Sequence, residues 1–447
     1  MPSEELAVNR NGIGLLTCLS LVTATMVGTG VYTTLGFQLQ DLSSGFSILC
    51  LWVLGGVISL CGALSYAELA ARIPRSGGEY TYLSEIYHPA LGFMAAFVSL
   101  IAGFAAPIAL SAMAFGSYLH AAFPFCPVHL SSWTVVLLIS LFHLRSLQVS
   151  SLVQVAATAL KFLLVALFIA AGFWSLSRNV GAWAVLTPHA RSAEELLRPS
   201  SGIALIFVLY AYSGWNAVTY LAGEVRSGGR VVGLSLVLGT LAVALFYVVL
   251  NAIFLTSAPL SELRGVLNVG SVAAEHLIGP SGGRVMSGII SFGLLASISA
   301  MIWAGPRVIQ RVGEDYPIFA RLARRTATGI PRRAILLQLL LVLGLIAGGS
   351  FQAVLLFAQI PLLLCLILGV SGLLVLRKKE GGFSTALGNR PQFACPLYPL
   401  PPVLFILCSG AGLLYSAISK PWIALAGMAI MLLPLTLYRW ISRPKKS

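Results

Sequence analysis

Two short polar runs interrupt long apolar stretches of this sequence and hold its most promising chemistry. The first is Met26-Val27-Gly28-Thr29-Gly30-Val31-Tyr32, with two glycines flanking a hydroxyl. The second is Tyr210-Ala211-Tyr212-Ser213-Gly214-Trp215-Asn216, with glycine beside hydroxyl and amide groups. Glycine lowers helix propensity by about 1 kcal/mol per residue, so both runs are expected to unwind. Unwound backbone deep in an apolar layer is tolerated only where it lines a cavity or is buried in protein. The freed amides and carbonyls can bind a polar solute. No clustered carboxylates, no Cys or His pair at ligand spacing and no nucleophile–base arrangement accompany them. Neither a metal, a cofactor nor an enzyme activity is therefore expected. The plainer alternative for Gly-x-Gly and Ser-Gly is close packing between helices; their recurrence at corresponding places favours the binding reading.

The elements that must position these runs follow from composition. The chain has 447 residues, 58% hydrophobic and only 9% charged, with a mean hydropathy of +0.91. A soluble chain carries charge on roughly a quarter of its positions, so these side chains cannot cover a water-exposed surface. Disorder and collagen are excluded too, because the 44 Gly and 22 Pro show no period and aromatics make up 10%. A lipid bilayer is the remaining solvent. Spanning helices need about 20 apolar residues each, and twelve candidates lie near 11–40, 44–71, 91–119, 131–146, 149–176, 202–225, 231–256, 284–313, 334–349, 351–376, 399–418 and 421–440. The first does not resemble a cleavable signal, being too long and lacking a short basic lead.

Basic residues orient the spans, since Lys and Arg are retained on the cytoplasmic side. With both termini cytoplasmic, six of the 28 basic residues (Arg178, Arg191, Arg198, Arg264, Arg284 and Lys420) fall outside and Lys161 falls within a span. All the others lie on the inner side. The net charge of +14 is spread over short loops beside apolar helices, which suits anionic lipid headgroups; nucleic acid is not expected as a partner. Among seven cysteines only Cys126 falls in an outer loop, where it is free or bonded to another protein.

The two polar runs open two blocks of five spans. Five is odd, so the second block enters the membrane from the opposite side. That is an inverted repeat, whose broken helices meet near the bilayer centre. Helices one to five occupy 1–176, the inverted second repeat 200–376, and helices eleven and twelve with a basic cytoplasmic tail 397–447.

Gly28-Thr29-Gly30, the string from Tyr66-Ala67-Glu68-Leu69 through Ile73-Pro74-Arg75-Ser76-Gly77-Gly78-Glu79-Tyr80, and the Tyr210–Asn216 run resemble the amino acid–polyamine–organocation (APC) superfamily, most closely its L-type amino acid transporter branch. The likeness runs over helices one to ten; helices eleven and twelve match only in number. It implies an all-α, LeuT-like membrane fold, alternating access and an amino-acid substrate. The substrate carboxylate would meet amides around Gly28, Thr29 and Gly30. Its ammonium would meet carbonyls near Met26, Tyr210, Ser213 and Gly214, since exposed helix N-termini favour anions and C-termini favour cations. Tyr210 matches the position of the family's gating aromatic, usually Phe or Trp, and packing between helices is the alternative for it. The resemblance also places heteromeric members' linking cysteine at Cys126, so a heavy-chain partner is the minor alternative to a free thiol.

Glu68 and Glu224 are expected in ion pairs near the inner helix ends, with Arg72, Arg75 or Arg226. Pro107, Pro306, Pro361 and Pro434 are expected to kink their helices, and Asn251 to bond between helices. No acid falls within the polar runs, which favours neutral amino acids. Lys161 lies at mid-span after Val153-Gln154, where a charge costs at least about 2.5 kcal/mol. The family's Lys at this point replaces the sodium ion of coupled relatives, implying Na⁺-independent transport. Exchange is the expected mode and proton symport the alternative. A channel would favour a continuous polar pore instead of a closed central pocket.

Overall fold

A computed structural model describes residues 13–144, 162–163, 165–174, 177, 180–189, 192–225, 228–324, 326, 331–379 and 392–441. Among them the chain is helical, and the only strand-like pairing is an isolated parallel bridge between Ile13 and Val225. Eight helices are long and apolar enough to cross a membrane: Leu15–Asp41, Gly45–Arg72, Pro89–Ala122, Gly228–Ser257, Pro280–Ile302, Phe351–Lys379, Leu400–Ser419 and Pro421–Ile441. Val128–His143, Val165–Trp174, Pro199–Ala211 and Val269–Ile278 are shorter apolar helices.

The first of these is two helices in tandem, α1 (Leu15–Met26) and α2 (Gly30–Asp41), separated by three residues. Then come α3 (Gly45–Arg72), α4 (Glu79–Ile86), α5 (Pro89–Val98), α6 (Ala106–Ala122), α7 (Val128–His143) and α8 (Val165–Trp174). Ser44 caps α3 by accepting the Ser47 amide at 3.2 Å. Pro89 starts α5 behind a capping His88, at the position where a missing N–H costs nothing. A π-helical turn, Ser99–Ala105, joins α5 to α6. Most of 149–176, expected as helix five, and Lys161 with it, lie outside the described residues.

The second half begins with α9 (Ser192–Leu197) and α10 (Pro199–Ala211). A turn follows, then a 3₁₀ helix, Ala217–Glu224, and α11 (Gly228–Ser257). Next are α12 (Leu260–Leu263), α13 (Val269–Ile278), α14 (Pro280–Asp315), α15 (Ala320–Ala323), α16 (Arg332–Gly348), α17 (Phe351–Lys379), α18 (Leu400–Ser419) and α19 (Pro421–Ile441). Pro306, Pro361 and Pro434 sit inside α14, α17 and α19, whereas Pro107 falls in the first turn of α6, directly after the π-helical segment.

Helix packing brings the interruptions together: α2 lies along α10, α1 along α11 and the 3₁₀ helix, and α3 along α11. The interior is apolar, and unlike that of a water-soluble protein so is much of the surface. Leu137, Leu138 and Leu141 on α7, Leu238, Leu241 and Leu245 on α11, and Leu425, Leu432 and Leu433 on α19 are exposed. Glu68, Asn251, Gln338 and Gln359 are buried. Lipid supplies the solvent for such a surface, and the chain is an integral, multi-pass membrane protein.

Candidate functional site

The break in the first span begins where Val27 closes the last turn of α1 on Thr23 and the Gly28 amide folds back onto the Met26 carbonyl at 2.7 Å. The chain re-enters a helix at Gly30 with Thr29 as its cap residue, and no side chain caps that N-terminus. The first-turn amides of α2 therefore keep the partial positive charge of a helix start. The break after α10 is longer. It turns through Tyr212–Asn216, with Gly214 at φ +99°, a conformation only glycine adopts without strain.

All seven residues expected to hold substrate meet here. Thr29 Oγ1 and Tyr210 Oη are hydrogen-bonded at 3.0 Å, and both residues are buried. Thr25 Oγ1 donates to the Gly214 carbonyl at 3.1 Å. A Cβ on Gly214 would sit 3.0 Å from the Thr25 carbonyl oxygen. Gly30 faces Ala211 so closely that a Cβ would lie 2.4 Å from its Cα. At Gly30, then, the close-packing alternative describes the contact, and a bulkier residue there displaces backbone. Gly28 differs: a Cβ would meet nothing nearer than the Met26 oxygen at 3.8 Å. Within this centre Gly28 is the glycine with open space beside it.

The carbonyls at the opposite ends are already engaged. Tyr247 of α11, fully buried, donates from Oη to the Met26 carbonyl at 2.7 Å and lies 3.1 Å from the Ala211 carbonyl. The Tyr210 carbonyl accepts from the Ser213 amide at 3.0 Å and hydroxyl at 2.7 Å. Trp52, Tyr212 and Tyr247 form an aromatic cluster behind the two breaks, with ring centroids 5.0 to 5.9 Å apart. Tyr247 ties both half-helices together, yet in the sequence it is one aromatic among many in an apolar run.

Two buried carboxylates lie toward one end of the bundle. Glu68 pairs with Arg72, as expected from their spacing, at 2.7 Å. It also accepts Nε and a terminal nitrogen of Arg377 at 2.9 and 2.6 Å, and the Cys395 amide at 2.7 Å. Arg377 in turn stacks 3.8 Å over the Tyr398 ring. Glu79 accepts from Asn216 at 2.6 Å and from the Tyr220 hydroxyl. Asn251, expected between helices, donates to Tyr247 O one turn back in its own helix at 2.9 Å, because its side chain runs along α11.

Toward the other end, Tyr118 donates to the Tyr32 carbonyl at 2.8 Å and accepts the Gly270 amide at 3.2 Å, joining α6, α2 and α13. Glu195 of α9 accepts the amides of Ser43 and Ser44 at 3.2 and 3.1 Å, and the Ser43 hydroxyl. Burial opposes this charge, but the hydrogen bonds from Ser43 and Ser44 together outweigh it and hold the Glu195 pKa below the usual carboxylate range.

Two discontinuous helices crossing at a shared polar centre inside an apolar bundle define a membrane transporter architecture. The amino acid permease family matches residues 13–438, and the chain belongs to that family, part of the APC superfamily. It is 27% identical over 408 residues to the serine/threonine exchanger SteT of Bacillus subtilis (strain 168), covering 88% of each chain. It is 25% identical over 449 residues to the large neutral amino acids transporter small subunit 2 of Mus musculus, covering 97% of this chain and 82% of the relative. To the cystine/glutamate transporter of Homo sapiens it is 26% identical over 457 residues, covering 99% and 88%.

Proposed function

We propose that this chain is a Na⁺-independent transporter of neutral L-amino acids that works by alternating access as an exchanger. The observation that carries the reading is the meeting of Met26–Gly30 with Tyr210–Gly214, bridged by Thr29–Tyr210 and Thr25–Gly214. The uncapped start of α2 suits a carboxylate, and the carbonyl ends of α1 and α10 suit an ammonium that displaces donors such as the Tyr247 and Ser213 hydroxyls. Tyr210, held by Thr29, gates the site. In this reading the fold is LeuT-like, with twelve spans in a five-plus-five inverted repeat, two further helices and both termini cytoplasmic.

Relatives at 25 to 27% identity carry names for hydroxyl, large neutral and anionic amino acids, so the neutral assignment rests on the centre itself. No Asp, Glu, Lys or Arg falls within Met26–Tyr32 or Tyr210–Asn216. Na⁺ independence rests on the resemblance of Lys161, which lies outside the described residues, to the family's lysine that replaces a sodium ion, and on the relative from Bacillus subtilis named as an exchanger. Cys126, half-exposed in the turn between α6 and α7, is where a heavy-chain partner would attach. A disulfide-linked band on a non-reducing gel of native membranes would reveal one.

Proteoliposomes preloaded with an unlabelled neutral amino acid test the function. Labelled uptake should require the internal substrate and persist when choline replaces Na⁺. A strict Na⁺ requirement removes the proposal. Uptake into empty vesicles driven by a pH gradient replaces exchange with proton symport.

A further inference from the structure

Four arginines gather where α14 gives way to α16. Several arginines at other helix ends are paired: Arg72 and Arg377 with Glu68, Arg75 with Glu85 and Arg198 with Glu194. Arg321, Arg324, Arg332 and Arg333 are exposed, and among the described residues no carboxylate lies within ion-pair distance of any of them. The two acids at the end of α14 are engaged with other residues, Glu314 accepting from Gln310 at 2.6 Å and Asp315 from the Tyr80 hydroxyl.

The fold draws these arginines into one patch. Leu322 of α15 packs against Leu100, Ile309 and Ala334, which lays α15 beside the start of α16. Arg333 Nη1 donates to the Arg321 carbonyl at 3.2 Å. Arg321, within α15, and Arg324, at its end, therefore stand next to Arg332 and Arg333. Like charges brought together repel one another, so an anion from outside the chain is favoured here. All four are arginine, whose planar guanidinium matches phosphate oxygens two at a time.

The surface beside the patch identifies the source of that phosphate. Arg332, Leu336 and Leu340 recur at every fourth position of α16 and share a face. Leu336 and Leu340 are 45% and 67% exposed, and the stripe runs about 12 Å along the helix from Arg332. Ile318, exposed just ahead of α15, adds apolar surface on the other side. Guanidinium groups above a bare apolar stripe suit a molecule with an anionic head and hydrocarbon chains. We propose that Arg321, Arg324, Arg332 and Arg333 bind the phosphate of an anionic glycerophospholipid, with an acyl chain lying along Leu336 and Leu340. In the proposed orientation this lipid belongs to the cytoplasmic leaflet. The site holds one headgroup in place, which a diffuse attraction of basic loops to the membrane surface does not.

The test uses the full-length protein in detergent, given phosphatidylglycerol and phosphatidylcholine in equal amounts. Native mass spectra should show phosphatidylglycerol retained and phosphatidylcholine lost. The combined variant Arg321→Gln, Arg324→Gln and Arg332→Gln should bind phosphatidylglycerol more weakly by about fivefold for each arginine removed. Arg333 stays in place because it holds the Arg321 carbonyl. Arg284→Gln, at an exposed position on the opposite end of α14, should leave retention unchanged, and excess inorganic phosphate should not displace the lipid. If the combined variant does not fold, the three single variants decide, each losing about fivefold. Equal retention of both lipids, unchanged retention in the arginine variants, an equal loss in Arg284→Gln, or displacement by phosphate overturns the site. None of these measurements needs transport, so failure of exchange would count against the proposed function alone.

Discussion

The two interruptions, in the first span and after α10, are built differently. The first takes three residues and leaves the start of α2 without a side-chain cap. The second takes a five-residue turn with a left-handed glycine, passes into a 3₁₀ helix, and satisfies much of its own backbone. Ser213 closes on Tyr210, and the Thr219 amide and hydroxyl close on Asn216 at 2.9 and 2.7 Å. The anion-favouring end is thus open, while the cation-favouring carbonyls of Met26, Tyr210 and Gly214 already hold at least two donors each. In the proposed cycle the first break needs no rearrangement to accept a carboxylate. The second must share or release hydrogen bonds to accept an ammonium.

The largest test of this contrast compares two glycines of the first break. Gly30→Val drives a side chain into the Ala211 backbone, so it should destabilise the protein by about 3 kcal/mol and abolish transport along with folding. Gly28→Ala has room for its methyl. It should keep a melting temperature near that of the wild type and lose substrate affinity, because the methyl enters the space beside the α2 amides. A well-folded, fully active Gly28→Ala variant would move the carboxylate site elsewhere.

A smaller effect is expected where only a hydroxyl that joins the breaks is removed. Tyr210→Phe removes only the bond to Thr29, worth about 1 kcal/mol or roughly fivefold in KM. Tyr210→Ala empties a buried ring position and should cost about 3–5 kcal/mol. Tyr247→Phe leaves the buried Met26 and Ala211 carbonyls without their hydroxyl, at about 1–3 kcal/mol. Thermal stability in detergent and KM in proteoliposomes separate these three. Equal losses for Phe and Ala at Tyr210 would mean that the hydroxyl, not the ring, closes the site.

The smallest effect concerns how α10, the first half of the second broken helix, is anchored. Glu195, just ahead of α10, holds the start of α3 through Ser43 and Ser44, and its folded pKa is depressed. A depressed carboxylate stabilises the fold above its unfolded value, about 4.3, and the gain is lost as pH falls through the folded value. The melting temperature of the wild type should exceed that of Glu195→Gln at neutral pH, and the two should converge under acid. A gap that persists in acid would show that charge is not what anchors α10.

Much of this centre was legible in the chain. Glycine next to hydroxyl in an apolar stretch disrupts a helix by local propensity alone, so both breaks and the seven residues around them could be named before any contact was known. The Glu68–Arg72 pair was legible for a similar reason, since residues four apart share a helix face. Arg377, 309 positions from Glu68, carried no such signal. Neither did Tyr247 or Glu79, whose partners lie on other helices.

Sequence by itself determined the solvent, the helical elements and where two of them fail, because hydropathy and backbone propensity act over neighbouring residues. Tertiary structure decided which glycine has free space, which carbonyls already hold a donor and which buried acid is met by a second guanidinium group. Those properties depend on what other helices bring within a few ångströms. That is why Gly28 and Gly30, two positions apart and chemically identical, face open space in one case and the Ala211 backbone in the other.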